Sequence, residues 1–174
     1  MSLKSYLEFL MGQEDKVKKH VSVSGAVILR NNEEGGSSVL LIRRSPTDHW
    51  KLVWEFPRGR CDKGDSKDLV RCLKREVSEE TGLKVKVLKY IDKYEYLADE
   101  GTRKSTQHNF LCKMDPPNQK VKLSKEHDKY RWVDSVGVVE LLCPPEMKKT
   151  ISKVLNTDND IVSYDSSKKQ KIEE

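Results

Sequence analysis

Arg75-Glu76-Val77-Ser78-Glu79-Glu80-Thr81-Gly82-Leu83, preceded by Trp54-Glu55-Phe56-Pro57-Arg58-Gly59 and a polar loop, limits the folds open to this chain more than any other stretch. At about 100° per residue, Leu69, Leu73 and Val77 make one apolar stripe with Val70 at its edge. Lys67, Arg71, Lys74 and Ser78 lie opposite, on a wet face. Glu76, Glu79 and Glu80 fall within about 100° of one another, beside the stripe. The acids therefore sit where the helix meets the rest of the protein, and carboxylates gathered there repel one another unless a cation lies among them. Ser66 is the predicted N-cap, with Asp65 and Asp68 near the positive end, and Gly82 is the predicted stop. An ordinary charged helix with an Arg75–Glu79 i,i+4 pair is the plain alternative. The flanking Trp-Glu-Phe-Pro-Arg-Gly and Glu-Glu-Thr-Gly-Leu segments argue for the metal site instead.

Either side of this helix the pattern is that of strands. Val21 to Leu29 alternates and then turns fully apolar, Asn31 to Ser38 is a turn, and Val39 to Arg44 returns as a hairpin. Leu83 to Leu97 holds one or two strands, Asp99 to Arg103 a turn, Ser105 to Met114 a strand, and Tyr130 to Val133 a short one. Asp134 is expected to cap a helix through Leu142, and Pro144-Pro145 to open a last helix through Leu155. Strands around a central helix with a further helix at the end predict an α/β chain, an α/β/α sandwich on a mixed β-sheet. The domain is expected over residues 20–155, between an N-terminal helical extension (1–19, with Leu3, Leu7, Leu10 and Met11 on one side) and a polar C-terminal tail (156–174). At 174 residues, 36% hydrophobic and 35% charged, the chain suits one soluble domain. No apolar run approaches the ~20 residues of a membrane span. The four cysteines lack Cys-x-x-Cys spacing, which predicts reduced thiols and a cytoplasmic or nuclear setting. A net charge of +5 suits a polyanionic ligand and admits RNA without requiring it; nothing here fixes an oligomeric state.

The order Gly59, acid, Arg75-Glu76-apolar-x-Glu79-Glu80-x-Gly82-apolar resembles the Nudix box, the signature of Mg²⁺-dependent pyrophosphohydrolases. The box normally runs glycine, five residues, glutamate, seven residues, Arg-Glu. Here Asp65 stands at the acid position and the gap from Asp65 to Arg75 is two residues longer. Leu123 to Trp132, with Glu126, His127 and Tyr130, followed by Glu146-Met147, is similar to the C-terminal half of diadenosine tetraphosphate hydrolases. The resemblance covers roughly residues 20 to 155 and implies the Nudix-type sandwich.

The resemblance assigns Glu76, Glu79 and Glu80 to a Mg²⁺ site, with Mn²⁺ as an alternative, and adds a backbone carbonyl from Arg58 or Gly59. Arg75 orients the carboxylates. Glu126 or Glu76 serves as base, and Glu79 stands with them among the catalytic acids. Asp65 is expected to pair with Arg75. Arg58 replaces a usual glycine or lysine, and either reaches a phosphate or extends into solvent. Trp54 and Phe56 are expected in the core, while His49, Trp50, Tyr94, Tyr96, His108 and His127 are candidates to stack on a base. The implied substrate is a nucleoside diphosphate derivative, a dinucleoside polyphosphate first. MutT-like nucleotide-pool sanitation, RNA-cap hydrolysis and a catalytically silent binding module are the alternatives. The strand over Ser105 to Met114 carries no tyrosine where the diadenosine tetraphosphate hydrolases have a stacking one.

Overall fold

The computed structural model describes residues 16–31, 35–62 and 68–165, with side chains up to residue 156. The expected N-terminal helix, Asp65, Ser66, Lys67 and residues 166–174 lie outside the described residues. Seven strands form one sheet: β1 (Lys19–Asn31), β2 (Ser37–Arg44), β3 (Trp54–Glu55), β4 (Arg58–Arg60), β5 (Val85–Ala98), β6 (Arg103–Met114) and β7 (His127–Val133). The main order is β3-β2-β1-β6-β5, with β4 paired to β1 and β7 to β2. The β1–β6 pairing is parallel and the others are antiparallel, so the sheet is mixed.

Alternation along β1 and β2 divides the apolar side chains between two faces. Ala26, Ile28 and Leu40 pack with Leu73 and Val77 of α1 (Leu69–Thr81) and with Leu83 just beyond it. Val27, Val39 and Leu41 pack on the other face with Trp54, Phe56 and with Met147 and Ile151 of α2 (Pro145–Asp165). The expected sandwich results, with a helix against each face.

Several local features differ from the sequence-based expectation. Asp68 caps α1, accepting from the Arg71 N–H at 2.9 Å. Gly82 ends it as expected, at φ 68°, a backbone state that an L side chain resists. The one or two strands expected over 83–97 are the single long strand β5, Val85–Ala98, whose register slips near Leu88 and Ile91. The helix expected over 134–142 is a run of turns instead. There the Asp134 carboxylate accepts from the Gly137 N–H at 2.7 Å, and Val136, Val138 and Val139 disfavour a regular helix. The last helix runs past Leu155 to Asp165, since neither glycine nor proline follows to stop it, so the first part of the expected polar tail is helical.

Cys61 and Cys72 are joined by a disulfide, with Cα atoms 5.3 Å apart. This corrects the expectation of four reduced thiols; only Cys112 and Cys143 are free. The pairing arises because the end of β4 lies against the first turn of α1, which chain spacing alone does not show. Constraining a loop of this length contributes about 3 kcal/mol in the chain-entropy account. Reduction with dithiothreitol, or Cys61→Ser, is therefore expected to lower the melting temperature by roughly 6–12 °C, at about 2–4 °C per kcal/mol. An unchanged melt would show that the bond adds nothing to the fold.

Candidate active site

Between the sheet and the start of α2 lies a cleft of about 640 Å³. Glu76, Glu80, Arg75 and Gly59 line it together with Glu126, Arg58, Trp50, Tyr94 and Tyr96. Helical spacing explains which acids enter. Glu76 and Glu80 are four residues apart and turn inward, Glu76 partly buried and Glu80 buried, whereas Glu79 keeps 59% of its side chain exposed. The expectation that all three acids leave the solvent face is thus corrected for Glu79. It takes the plain i,i+4 pair with Arg75, at 3.2 Å. Arg75 also donates to Glu76 at 2.8 Å and to the Arg60 carbonyl at 3.1 Å, tying α1 to the end of β4.

Gly59 leaves room for the inward position of Glu76. A Cβ there would fall inside the Glu76 carboxylate. Strand β4 presents this residue because Gly59 pairs with Ser24 of β1, and the adjacent Arg58 N–H donates to Glu80 Oε2 at 2.9 Å. The start of β4 therefore serves both acids.

Beneath the acids sits a charged group that sequence reasoning missed. Glu55 is 1% exposed and meets Arg44 Nε at 2.5 Å, Arg58 Nε at 2.7 Å and His127 Nε2 at 3.6 Å. Burial alone would raise its carboxyl. The Arg58 charge, the nearby His127 and the Arg44 charge outweigh burial and hold it at about 2. The Trp-Glu-Phe-Pro segment contains this glutamate, and the only signal was its place between two core aromatics. His127 is buried in the sheet, 3.9 Å from Glu80 Oε1. It supports the carboxylates and is not available to stack on a base.

The setting of the cleft disfavours the charged form of its acids. Burial lifts the Glu76 carboxyl above its ordinary range, with Arg75 opposing. Glu80 is raised further, by burial first and then by the Glu55 charge, with the Arg58 N–H opposing and Glu76 adding to the rise. Among the described residues no three acid, histidine or cysteine side chains form a ready ligand cage. The donors present nonetheless fit a hard divalent cation: two inward carboxylates with raised pKa values, one of them seated against Gly59.

The aromatic candidates separate. Trp50 is 53% exposed at the cleft, and His49 packs edge-on against it at 5.5 Å but does not line the cleft. Tyr94 and Tyr96 stand on the cleft wall, their rings 6.1 Å apart. His108 is corrected. Alternation along β6 puts Ser105, Gln107 and Asn109 on one face and His108 with Phe110 on the other, where His108 meets Tyr90 on the α1 side. Trp54 and Phe56 are buried as expected. Glu126 lines the cleft with 67% of its side chain exposed, 3.9 Å from Arg44.

A family model for the NUDIX domain matches residues 18–153. The chain belongs to the Nudix family. Over 104 residues, 58% of this chain and 68% of the relative, it is 32% identical to the mouse asymmetrical bis(5'-nucleosyl)-tetraphosphatase. It is also 29% identical over 133 residues to an octanoyltransferase from Myxococcus xanthus, of whose length it spans only 36%. A C. elegans Ap4A hydrolase binary complex superposes with a TM-score of 0.67 at 23% identity, covering 83% of this chain and 98% of that one. A MutT protein from Methanosarcina mazei gives 0.66 at 25% identity, covering 82% and 96%. The Nudix fold is therefore established, and with it a hydrolase of this family that resembles the Ap4A hydrolases. Among the described residues no helix is long and apolar enough to cross a membrane.

Proposed function

We infer that this Nudix protein is a divalent-metal-dependent pyrophosphohydrolase that cleaves a dinucleoside polyphosphate. The observation that carries this is one cleft holding inward acids at Gly59 and, on its walls, Trp50, Tyr94, Tyr96 and Arg58. Such a cleft offers oxygen donors for a cation, positive charge for phosphates and rings for a base. Glu76 and Glu80, with the Gly59 or Arg58 carbonyl, would hold Mg²⁺; bound there, it neutralises the phosphate oxygens and stabilises the charge that develops on them.

The chain's own residues supply the rest. Arg75 holds Glu76 in place, and the Arg58 N–H holds Glu80. Glu126, exposed at the cleft and free to move, takes the proton from the attacking water; Glu76 is less suited because Arg75 already occupies it. Trp50 and Tyr94 provide faces for the bases. A panel of diadenosine tetraphosphate, 8-oxo-dGTP and capped RNA, compared by kcat/KM with Mg²⁺ and product analysis, tests the choice of substrate. The dinucleoside polyphosphate is expected to lead, and a lead of tenfold or so by either competitor would replace it.

The raised carboxyls give a pH expectation. A carboxyl whose folded pKa exceeds its unfolded one adds stability while protonated and loses it as pH climbs from the ordinary carboxylate value through the raised one. Bound cation displaces that proton, so its affinity rises with pH over the same window. Mg²⁺ or Mn²⁺ at millimolar levels is expected to raise the melting temperature more at about pH 8 than at about pH 5.5. A shift independent of pH, or none at either, would remove Glu76 and Glu80 from the metal site.

A further inference from the structure

Arg58 is held by more than Glu55. Its Nη1 donates to the Tyr96 hydroxyl at 2.7 Å and to Gln107 Oε1 at 2.8 Å. Gln107 Nε2 in turn donates to Asn109 Oδ1 at 2.8 Å, and Asn109 Nδ2 donates to Asp92 Oδ1 at 2.8 Å. Thr150 of α2 closes the chain, donating to Asp92 at 3.1 Å. Gln107, Asn109 and Thr150 are buried. Sheet register lays out the path: Gly25 pairs with Arg58 on one side and Asn109 on the other, and Asn109 pairs with Asp92. A Cβ on residue 25 would come within 3.0 Å of both Asn109 Oδ1 and Gln107 Nε2, so glycine leaves this row its room.

The polarity of the row is forced. A guanidinium only donates and a carboxylate only accepts. Asp92 therefore requires the Asn109 amide nitrogen, which turns Asn109 Oδ1 to Gln107, which turns Gln107 Oε1 to Arg58. Either amide reversed would set like against like at both of its contacts. One end of the row is fixed on α2 and the other on a side chain lining the cleft.

Among the described residues nothing accepts from Arg58 Nη2, while Nε and Nη1 are both taken. We propose that Gln107, Asn109 and Asp92 are positioning residues whose one-way hydrogen-bond row fixes the Arg58 guanidinium so that its remaining donor meets a phosphate oxygen of the substrate. The proposal rests on the reading of the cleft as a polyphosphate site. A lysine at position 58 could not serve in this way, having no planar fork to be held at two edges and read at the third. The row gives preorganisation: the arginine need not lose its rotamer freedom when substrate arrives.

The test uses the full chain with Mg²⁺ and two readouts: the Kd for inorganic pyrophosphate by calorimetry, and KM and kcat for diadenosine tetraphosphate. Gln107→Met keeps length and removes both hydrogen bonds. It is expected to weaken pyrophosphate and raise KM about tenfold, with kcat within about threefold of wild type. Asp92→Asn is expected to act in the same direction and less. Neither change should weaken binding further in an Arg58→Met background. Unchanged pyrophosphate affinity in Gln107→Met, or the same loss with and without Arg58, would overturn the proposal. If Gln107→Met does not fold, Asp92→Asn decides on the same two criteria. A wild-type protein that binds pyrophosphate but cleaves no phosphoanhydride defeats the hydrolase reading alone. One that binds no pyrophosphate defeats both.

Discussion

Glu80→Gln is expected to lower turnover by at least about a hundredfold, with the fold intact. Glutamine keeps the size and an oxygen for the Arg58 N–H, which now donates to Glu80 at 2.9 Å. What it removes is negative charge, and that charge is costly to the metal-free protein: burial, Glu55 and Glu76 all hold the Glu80 carboxyl well above its ordinary range. The variant should therefore melt no lower than wild type without metal, and should lose most of the Mg²⁺-induced rise. Lys74→Gln, on the exposed face of the same helix, is expected to stay within about twofold of wild-type activity. Equal losses from the two changes, or full activity in Glu80→Gln, would contradict the placement of the acids.

Glu55→Ala is expected to cost about 3–5 kcal/mol of stability, the range for breaking a buried ion pair on one side. The carboxylate lies between Arg44 and Arg58, whose side chains are only 18% and 17% exposed. Removing it leaves Arg58 without the acceptor of its Nε and both guanidiniums without their shared counter-charge. In a chain of this size that corresponds to a fall of roughly 10 °C in melting temperature. Glu55→Gln, which keeps an acceptor, should cost less. Denaturant unfolding measures both, and a loss under about 1 kcal/mol for Glu55→Ala would show that solvent already screens the group. Arg58 links this cost to the site: its side chain answers Glu55 and its backbone N–H answers Glu80.

What the sequence revealed was local. The stripe of Leu69, Leu73 and Val77, the glycine at 82 and the hairpin of β1 with β2 depend on residues a few positions apart, and periodicity reports those directly. The inward Glu76 and Glu80 and the Arg75–Glu79 pair followed from the same helical geometry. Three kinds of feature were not legible. Glu55, Arg44 and His127 converge from β3, β2 and β7, and only the sheet order brings them together. Cys61 and Cys72 meet because β4 lies against the start of α1, which no spacing rule encodes. His108 and Gln107 are neighbours in sequence and opposites in space, so choosing a face for β6 required knowing which side carries the cleft. Where a local alternative competed, it won: the Asp134–Gly137 turn replaced an expected helix, and Glu79 took the plain salt bridge with Arg75.

The central claim is that this cleft uses a divalent cation to hydrolyse a phosphoanhydride. Incubation of the full chain with diadenosine tetraphosphate in ¹⁸O-labelled water, with Mg²⁺ in one arm and EDTA in the other, tests it by mass spectrometry of the products. The account predicts mononucleotide products in the Mg²⁺ arm alone, with a single ¹⁸O on a phosphate of one product, and their loss in Glu80→Gln. Products that form equally in EDTA, or no products in either arm while Mg²⁺ still raises the melting temperature, would contradict it.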